Sequence, residues 1–467
     1  MHSSYRFTTD SAVFDEQNLV SAAGLVPVLE LAEQTGLSRL IDEHVQLPST
    51  RVKSGAVNPA GKLTSIVAAM ACGADSIDDA GVLRAGGTPR VFNEVYAPST
   101  LGIFLREFTF GHSKQLAAVA RAHLVALAAR TPLLTGADEQ MFVDIDSLLR
   151  PVYGHHKQGA SFGHAKIASR ALLRLGLSPQ ITTISTATAP PVIAEAQLRS
   201  GRAASGRGGA RQVKQAITTA RAINPDATIM VRGDSMFGTK KVITTCVADG
   251  VQFSLSVSRN KRITAALAAI DEATYTPVHY PGAVEDPDTG ALISDAQVAE
   301  TPYTLRLARG RTLTVRLIVR RVKDARYPDA LFPVWRYHPF VTNSALPVAE
   351  ADITHRRHAI IETTFADLID GPLAHIPSGR FAANCAWLAC AVITHNLLRA
   401  AGTLAGGHHT VARGATLRRD LVNVPARFAA PARKPMLHLP AHWPWQSGWK
   451  TLWDNTIGYP TIQPRAA

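Results

Sequence analysis

Hydrophobic residues in the first third of the chain recur with the spacing of a helix. The segments that begin near Leu25, Ser65, Leu101 and Gln115 place apolar residues three or four positions apart. Such spacing aligns apolar side chains along one face of an α-helix. We therefore predict an all-α N-terminal region over residues 1–135.

The pattern changes to short, alternating or β-branched runs after residue 139. These runs begin at Met141, Gln180, Ala227 and Val251, and helices are expected between them at about 192–198 and 211–223. Strands that alternate with helices are typical of an α/β sheet. We assign residues 136–260 to the first part of an α/β core.

A β-rich segment comes next, and helices then return. Residues 303–321 alternate around Arg309-Gly310, which predicts a hairpin. We assign residues 261–337 to a β-rich insertion and residues 338–402 to the second part of the core, with helices at about 348–369 and 382–401. Residues 403–467 form a C-terminal basic and Trp-rich tail. The apolar run 385–393 is shorter than the roughly 20 residues of a membrane span, so a buried core helix is predicted and no membrane partner.

Composition restricts the class of protein. The 467 residues are 46% hydrophobic and include four cysteines, with no CxxC pair. This length and apolar content exclude a disordered tail and a small disulfide scaffold. Reduced cysteines and an N-terminus without an apolar stretch predict a cytoplasmic protein.

The net charge of +13 favours a large polyanionic partner, with nucleic acid as the first candidate. Two stretches, residues 199–221 and 303–323, contain bases but no acid. A solvated basic face is the alternative for any single residue. The bases that we predict to bind DNA are Arg199, Arg202, Arg207, Arg211, Arg306, Arg309 and Arg311.

Acidic residues stand at the ends of two predicted core strands. Asp144 and Asp146 share one strand face because side chains alternate at period two, and Asp234 directly follows the run 229–233. Carboxylates in this position can hold Mg²⁺, which prefers oxygen ligands. The alternative is that each Asp caps a turn or helix.

A third acid follows in a predicted helix. His355, His358 and Glu362 are spaced by three and four residues, so we expect them on one helix face. Two strand-end aspartates and this glutamate could together hold two divalent ions for phosphoryl transfer. His355, Arg356, Arg357 and His358 are the predicted contacts to DNA phosphates.

These segments resemble a known family. Phe142-Val-Asp-Ile-Asp-Ser, Val231-Arg-Gly-Asp-Ser-Met-Phe-Gly and the Glu362 helix are similar to the three acidic motifs of bacterial insertion-sequence DDE transposases. More narrowly, they resemble the insertion-sequence thirteen-eighty family of the insertion-sequence-four-like group. In the wider group, Tyr and Arg stand where this chain has His355 and His358.

The resemblance implies a ribonuclease-H-like catalytic core, interrupted by a β-rich insertion between the second and third acids. It implies cut-and-paste transposition with Mg²⁺ or Mn²⁺, as two ions on Asp146, Asp234 and Glu362. The implied partners are double-stranded DNA, as inverted-repeat ends and target, and a second copy of the chain in the DNA complex. The helical N-terminal region, residues 1–135, is then the predicted DNA-binding region that recognises the inverted-repeat ends. A nucleoid-associated location follows.

Three alternatives stay open from the sequence. Asp144 could replace Asp146 as the first acid and metal ligand, although Asp146 directly precedes Ser147, as in the resembling motif. The chain could be a structure-selective DNA nuclease on the same fold. It could also be a non-catalytic, domesticated DNA-binding protein, which the presence of all three acids disfavours.

Overall fold

The structure is a computed structural model. It describes residues 11–47, 55–92, 95–154, 156–167, 170–204, 206–279, 296–307, 310–324, 326–327, 331–332 and 334–458. Helices and strands are both abundant, so the predicted mixed α/β class is confirmed.

The N-terminal region is helical, as predicted. Local signals fix several helix starts: the Asn58 side chain accepts a hydrogen bond from the Gly61 amide at 3.0 Å, and the Thr109 hydroxyl accepts one from the His112 amide at 3.5 Å. The helices of this region are α1 (Leu25–Gln34), α2 (Leu37–His44), α3 (Pro59–Cys72), α4 (Thr88–Val91), α5 (Pro98–Arg106) and α6 (Phe110–Arg130), with a 3-10 helix at Asp78–Arg84.

The strands, except for three short ones, form one large sheet in the described part of the protein. Its eleven strands are β2 (Gln140–Ser147), β3 (Arg150–Pro151), β4 (Ser161–Ile167), β5 (Arg170–Ser185), β6 (Val192–Ser200), β7 (Thr228–Gly233), β8 (Gln252–Ser256), β9 (Thr276–Pro277), β10 (Ala296–Arg306), β11 (Thr312–Lys323) and β12 (Trp335–Thr342). A separate small sheet joins β1 (Leu19–Val20), β13 (Ala426–Ala429) and β14 (Met436–His438).

The centre of the large sheet has the order β6-β5-β2-β7-β8. Strand β2 runs parallel to β7, and β7 runs parallel to β8, whereas β5 is antiparallel to β2 and β6 is antiparallel to β5. Helix α7 (Gly209–Ile223) connects β6 to β7, and α8 (Lys240–Ala248) connects β7 to β8. Two such crossovers place the carboxyl ends of β2, β7 and β8 at the same edge of the sheet.

The prediction of a helix at 192–198 is wrong, because these residues lie in β6. Their Ala, Glu, Gln and Leu residues favour a helix locally, but β6 pairs with β5 along most of its length. Cross-strand pairing and burial therefore override the intrinsic propensity. The predicted hairpin at 303–321 is confirmed by the antiparallel β10–β11 pair, in which Leu305 faces Leu313.

The predicted β-rich insertion is continuous with the core sheet. Strand β12 pairs with β11 on one side and with β8 on the other, so β9 to β12 extend the sheet that carries β2 and β7. A short helix, α9 (Lys261–Ala268), and a 3-10 turn at Glu272–Thr274 precede them. The hairpin is therefore fixed to the core by main-chain hydrogen bonds.

Helix α12 (Phe381–Ala405) lies at the centre of the hydrophobic core and packs against α3, α6, β6 and α14 (Gln446–Thr456). It is long and apolar enough to cross a membrane, but most of it is buried inside the protein. Its burial confirms the predicted core helix around 385–393. Because one core cluster contains Leu31, Val143 and Leu452, the predicted regions share a single hydrophobic interior.

The remaining helices complete the C-terminal half. The predicted continuous helix at 348–369 is interrupted: α10 (Val348–Arg356) is followed by a 3-10 turn at Arg357–Ile360 and then by α11 (Ile361–Ile369). After α12 come a 3-10 turn at Gly407–Thr410, α13 (Gly414–Leu417), a π-helical turn at Arg418–Val422, a 3-10 turn at Pro431–Arg433 and α14.

Candidate active site

The register of β2 against β7 places the candidate acids. Asp144 on β2 faces Arg232 on β7, and the pairing continues to Ile145 and Gly233. The Arg232 guanidinium donates two hydrogen bonds of 2.7 Å to the Asp144 carboxylate, and both residues are buried. Asp144 is therefore held in a bidentate ion pair, which does not fit the role of a metal ligand.

Asp146 and Asp234 directly follow Ile145 and Gly233, the last paired residues of the β2–β7 ladder. Asp146 and Asp234 are 88 residues apart in the sequence, and so are Asp144 and Arg232. Neighbouring strands lie about 4.8 Å apart, and side chains return to the same face every second residue. Asp146 therefore lies at the carboxyl end of β2, and Asp234 directly follows the carboxyl end of the parallel strand β7.

Each of these aspartates is oriented by a backbone amide. The Ser147 amide donates to Oδ1 of Asp146 at 2.6 Å, and the Met236 amide donates to Oδ1 of Asp234 at 2.9 Å. The turn after Asp234 ends at Gly238, where a Cβ atom would lie 2.0 Å from the Ser256 carbonyl oxygen. Glycine is thus required for the close approach of this turn to β8.

Helices α10 and α11 cross the face of the sheet that carries these residues. Arg232 donates from Nη1 to the Thr354 carbonyl of α10 at 2.9 Å, and α11 packs against β2. Ile361, Phe365 and Leu368 of α11 are buried, whereas Glu362 is exposed. Glu362 therefore lies in the first turn of a helix whose apolar face is fixed to the strand of Asp146.

The intervening 3-10 turn changes the predicted arrangement of His355, His358 and Glu362. A 3-10 helix rotates about 120° per residue instead of about 100°. The three side chains consequently do not continue along one α-helical face. His355 is directed into the sheet, His358 is half-buried and Glu362 is exposed.

His355 is part of the core. Its ring stacks on Phe340 with the centroids 4.2 Å apart, and its two ring nitrogens lie 2.9 Å and 3.0 Å from the hydroxyls of Ser254 and Ser256. Burial, reinforced by neighbouring His358, lowers the pKa of His355 to about 3. A neutral, buried ring with both nitrogens bound does not fit the predicted phosphate contact.

His355 also fixes the helix that precedes the third acid. Ser256 of β8 faces Phe340 of β12, and the ladder from β2 through β7 and β8 to β12 runs without a break. His355 thus anchors α10 on β8 and β12. Helix α11, which carries Glu362, follows α10 after the 3-10 turn and packs against β2.

The three acids do not form a closed ligand cage. Among the described residues, the group of three potential ligands whose atoms all lie within 4.8 Å of one another is elsewhere, at residues 408, 409 and 420. Arg199 lies within electrostatic range of Asp146: burial and neighbouring Arg207 lower the pKa of Arg199 to about 10, although the Asp146 carboxylate acts to raise it. A charged guanidinium therefore accompanies the acids.

Comparison with known proteins names the family. The family model described as transposase DDE domain group 1 matches residues 10–456. This chain belongs to that family. The sequence prediction of a DDE transposase is confirmed, whereas the narrower thirteen-eighty family stays a prediction. No curated protein matches the chain.

Family membership establishes the class of activity. The protein is a transposase, a DNA-cleaving enzyme of phosphoryl transfer that acts in DNA recombination and belongs to an insertion sequence. It follows that the transposase binds DNA. DDE transposases generally use divalent metal ions.

Most of the basic residues predicted to bind DNA lie on the surface of the transposase. Arg306 and Arg311 are exposed at the tip of the β10–β11 hairpin, and Arg309 between them lies outside the described residues. The other exposed members of the predicted set are Arg202, Arg207, Arg211, Arg356 and Arg357.

Arg199 is the exception among the predicted DNA-binding arginines. It is buried and donates to the Ser178 hydroxyl at 2.9 Å and to the carbonyls of Ala204 and Arg207 at 3.1 Å. Its guanidinium thus closes the loop that follows β6. This placement fits a structural role and does not fit a direct contact with a DNA phosphate.

Sequence reasoning missed Arg232, the partner of Asp144. A signal was present in the spacing: Arg232 precedes Asp234 by two residues, just as Asp144 precedes Asp146. Two strands with the same internal spacing, paired in parallel, bring the first members together and the second members together. Ser254 and Ser256 on β8 repeat this spacing and were also missed.

Proposed function

We propose that this transposase moves its element by a cut-and-paste mechanism in which Asp146, Asp234 and Glu362 form the catalytic site. The enzyme would cleave DNA at the inverted-repeat ends and transfer the freed 3′-hydroxyl into target DNA. The observation that carries the proposal is that Asp146 and Asp234 directly follow Ile145 and Gly233, the last paired residues of two neighbouring parallel strands.

The chemistry of the donors fits a hard divalent cation. Asp146 and Asp234 supply two carboxylates from neighbouring strand ends, each with Oδ1 already oriented by an amide. The Glu362 carboxylate accepts no hydrogen bond and has no ion-pair partner among the described residues. Oxygen donors of this kind suit Mg²⁺ or Mn²⁺.

Two ions held by these residues would supply activation of the attacking oxygen and stabilisation of the leaving oxygen. The chain itself contributes orientation. The backbone amides of Ser147 and Met236 fix the two aspartates, and the Asp144–Arg232 pair fixes the strands on which they stand. His355 fixes α10, so the three acids are carried by rigid elements.

The topology supports a ribonuclease-H-like core for this site. The first two acids stand on β2 and β7, and the β9–β12 segment lies between the second acid and the helix of the third. We propose that exposed arginines on the hairpin tip, on the loop after β6 and at the end of α10 contact DNA phosphates. We also propose a dimer on DNA and a nucleoid-associated location in the cytoplasm.

The test measures DNA cleavage and strand transfer by the purified full chain. Labelled duplexes that carry the element ends are incubated with Mg²⁺ or Mn²⁺ and target DNA, and products are separated on denaturing gels. We expect Asp146→Asn, Asp234→Asn and Glu362→Gln each to lower both reactions by at least about 1000-fold, while binding of the end duplex persists.

Two exposed acids outside the site provide matched controls. Asp138 lies in the loop before β2, and Glu350 lies in the first turn of α10. Asp138→Asn and Glu350→Gln should both keep wild-type activity. Strand transfer that survives the three site substitutions would contradict the assignment of the site. Cleavage of junction or flap DNA without any joining of a 3′-hydroxyl would instead support a structure-selective nuclease.

A further inference from the structure

We propose that His408, His409 and Asp420 form a second metal site, specific for a transition-metal ion of the Zn²⁺ class and separate from the catalytic acids. The three side chains come from the 3-10 turn after α12 and from the π-helical turn at Arg418–Val422. Neither turn belongs to β2, β7 or α11. The site would connect the end of the central helix to the C-terminal segment.

The distances between the ligand atoms fit coordination of one ion. Nε2 of His408 lies 3.4 Å from Oδ2 of Asp420, and Nε2 of His409 lies 3.3 Å from the same oxygen. All three atoms lie within 4.8 Å of one another. Two ligands about 2.1 Å from a tetrahedral ion stand about 3.4 Å apart, so both nitrogen–oxygen distances match the edge of a zinc tetrahedron.

The burial of the ligands points to a missing partner. The His409 and Asp420 side chains are 4% and 0% exposed, and within the described structure the buried Nε2 of His409 faces Asp420 Oδ2 at 3.3 Å without forming a hydrogen bond of good geometry. Leaving such an atom unsatisfied is costly. An ion bound between His409 and Asp420 would satisfy it.

The second oxygen of Asp420 is already held. The Arg419 guanidinium donates from Nε to Oδ1 at 2.7 Å and lies over the Trp445 ring, 4.6 Å from its centroid. The Trp443 indole donates to the Asp420 carbonyl at 3.1 Å. Oδ1 is thus occupied and Oδ2 faces the two histidines, an outer shell of the kind that orients metal ligands.

The backbone of the turn is built to bring the two rings together. Gly406 and Gly407 have φ angles of +73° and +56°, which residues with a side chain rarely adopt. Arg399 of α12 donates to the carbonyls of Thr410 and Ala412, fixing the turn on the central helix. The His408 ring remains 60% exposed, so one side of the site is open to an ion from solvent.

The donor set indicates which ion binds. Two imidazoles and one carboxylate suit Zn²⁺ and related transition metals better than Mg²⁺, which prefers oxygen ligands alone. Three protein ligands leave a fourth position for water on the side of His408. Since Gly448 of α14 packs on the His409 ring, where a Cβ would lie 2.6 Å from Cε1, the ion would also stiffen the docking of α14.

The experiment uses the full chain with Asp146→Asn, Asp234→Asn and Glu362→Gln, so that the catalytic acids contribute no binding. Zn²⁺ affinity and stoichiometry are measured against a chromophoric chelator, and Co²⁺ is added separately to record its visible absorption. We expect one Zn²⁺ per chain, an absorption spectrum of tetrahedral Co²⁺ and a higher melting temperature with Zn²⁺.

The His408→Ala variant is the main comparison, because its exposed side chain can be removed without opening the core. We expect Zn²⁺ affinity to fall at least about 100-fold and the increase in melting temperature to vanish. The matched control is His438→Ala, an exposed histidine of β14, which should keep both. His409→Ala and Asp420→Asn should reproduce the loss wherever they fold.

Two results would overturn the proposal. One is Zn²⁺ binding that is equal in the parent and in the His408→Ala variant. The other is an absence of tetrahedral Co²⁺ absorption together with a melting temperature that responds to acidification alone, since the two histidines would then act as protonated partners of Asp420.

Discussion

The Asp144–Arg232 pair yields a prediction that separates the two candidate first acids. Asp144→Asn removes the charge that faces Arg232 while keeping the shape of the side chain. Both members are buried, and they share two hydrogen bonds of 2.7 Å. After the change, Arg232 keeps the Thr354 carbonyl at 2.9 Å and the face of Phe142, 4.1 Å from its charge centre.

The expected cost is large. Removing one partner of a buried ion pair destabilises a protein by about 3–5 kcal/mol, because the other charge stays buried without compensation. This is a sizeable share of the roughly 5–15 kcal/mol by which domains are stable. Asp146→Asn should cost about 1 kcal/mol or less, since Asp146 is partly exposed and Asn keeps an oxygen for the Ser147 amide.

The assay is urea unfolding followed by tryptophan fluorescence, which reports on the buried Trp387. Asp144→Asn should unfold at a clearly lower urea concentration, and Asp146→Asn should unfold near the wild-type midpoint while losing DNA cleavage. The double variant Asp144→Leu with Arg232→Met should be more stable than either single change, because an apolar pair leaves no buried charge. A wild-type midpoint for Asp144→Asn would refute the reasoning.

Two further predictions concern pH and DNA. Burial lowers the pKa of His355 from 6.5 to about 3, so the unfolded chain binds a proton that the folded chain excludes. The free energy of unfolding should therefore fall as pH decreases from about 6.5 towards 3, by at most about 1.4 kcal/mol per pH unit from this residue. His355→Gln should flatten this slope in urea titrations at several pH values; an unchanged slope would assign the effect to other groups. Replacing Arg306 and Arg311 by Ala should reduce the slope of log affinity against log salt by about 0.9 per lost phosphate contact, measured by fluorescence anisotropy with duplex DNA. An unaltered salt slope for the hairpin variant would place the DNA elsewhere. Arg199→Ala, in contrast, should lower the urea midpoint of unfolding, because Arg199 is buried.

Local sequence patterns predicted the elements whose own residues show a regular apolar spacing. The β10–β11 hairpin and helices α6, α7 and α12 follow from alternation or helical spacing, because each packs apolar residues into or against the hydrophobic core. Strand β6 and most of β5 were missed. Gly176 interrupts the apolar pattern of β5, yet its lack of a side chain is required there, since a Cβ atom would lie 2.4 Å from the Arg150 carbonyl oxygen. This requirement is set by Arg150, which is distant from Gly176 in the sequence, so no periodic pattern within β5 reveals it.

The candidate site shows the same limit at the level of single residues. Alternation places Asp144 and Asp146 on one face and therefore cannot distinguish them. The register of β2 against β7 does, because it sets Asp144 opposite Arg232, and the same offset of 88 residues, continued past the last pair, predicts Asp146 opposite Asp234. The first row is neutral and needs nothing further, whereas two carboxylates at neighbouring strand positions repel each other. A divalent cation would remove that repulsion, so the pairing of the strands, more than the presence of acids on them, is the reason that we propose Asp146 as the metal ligand.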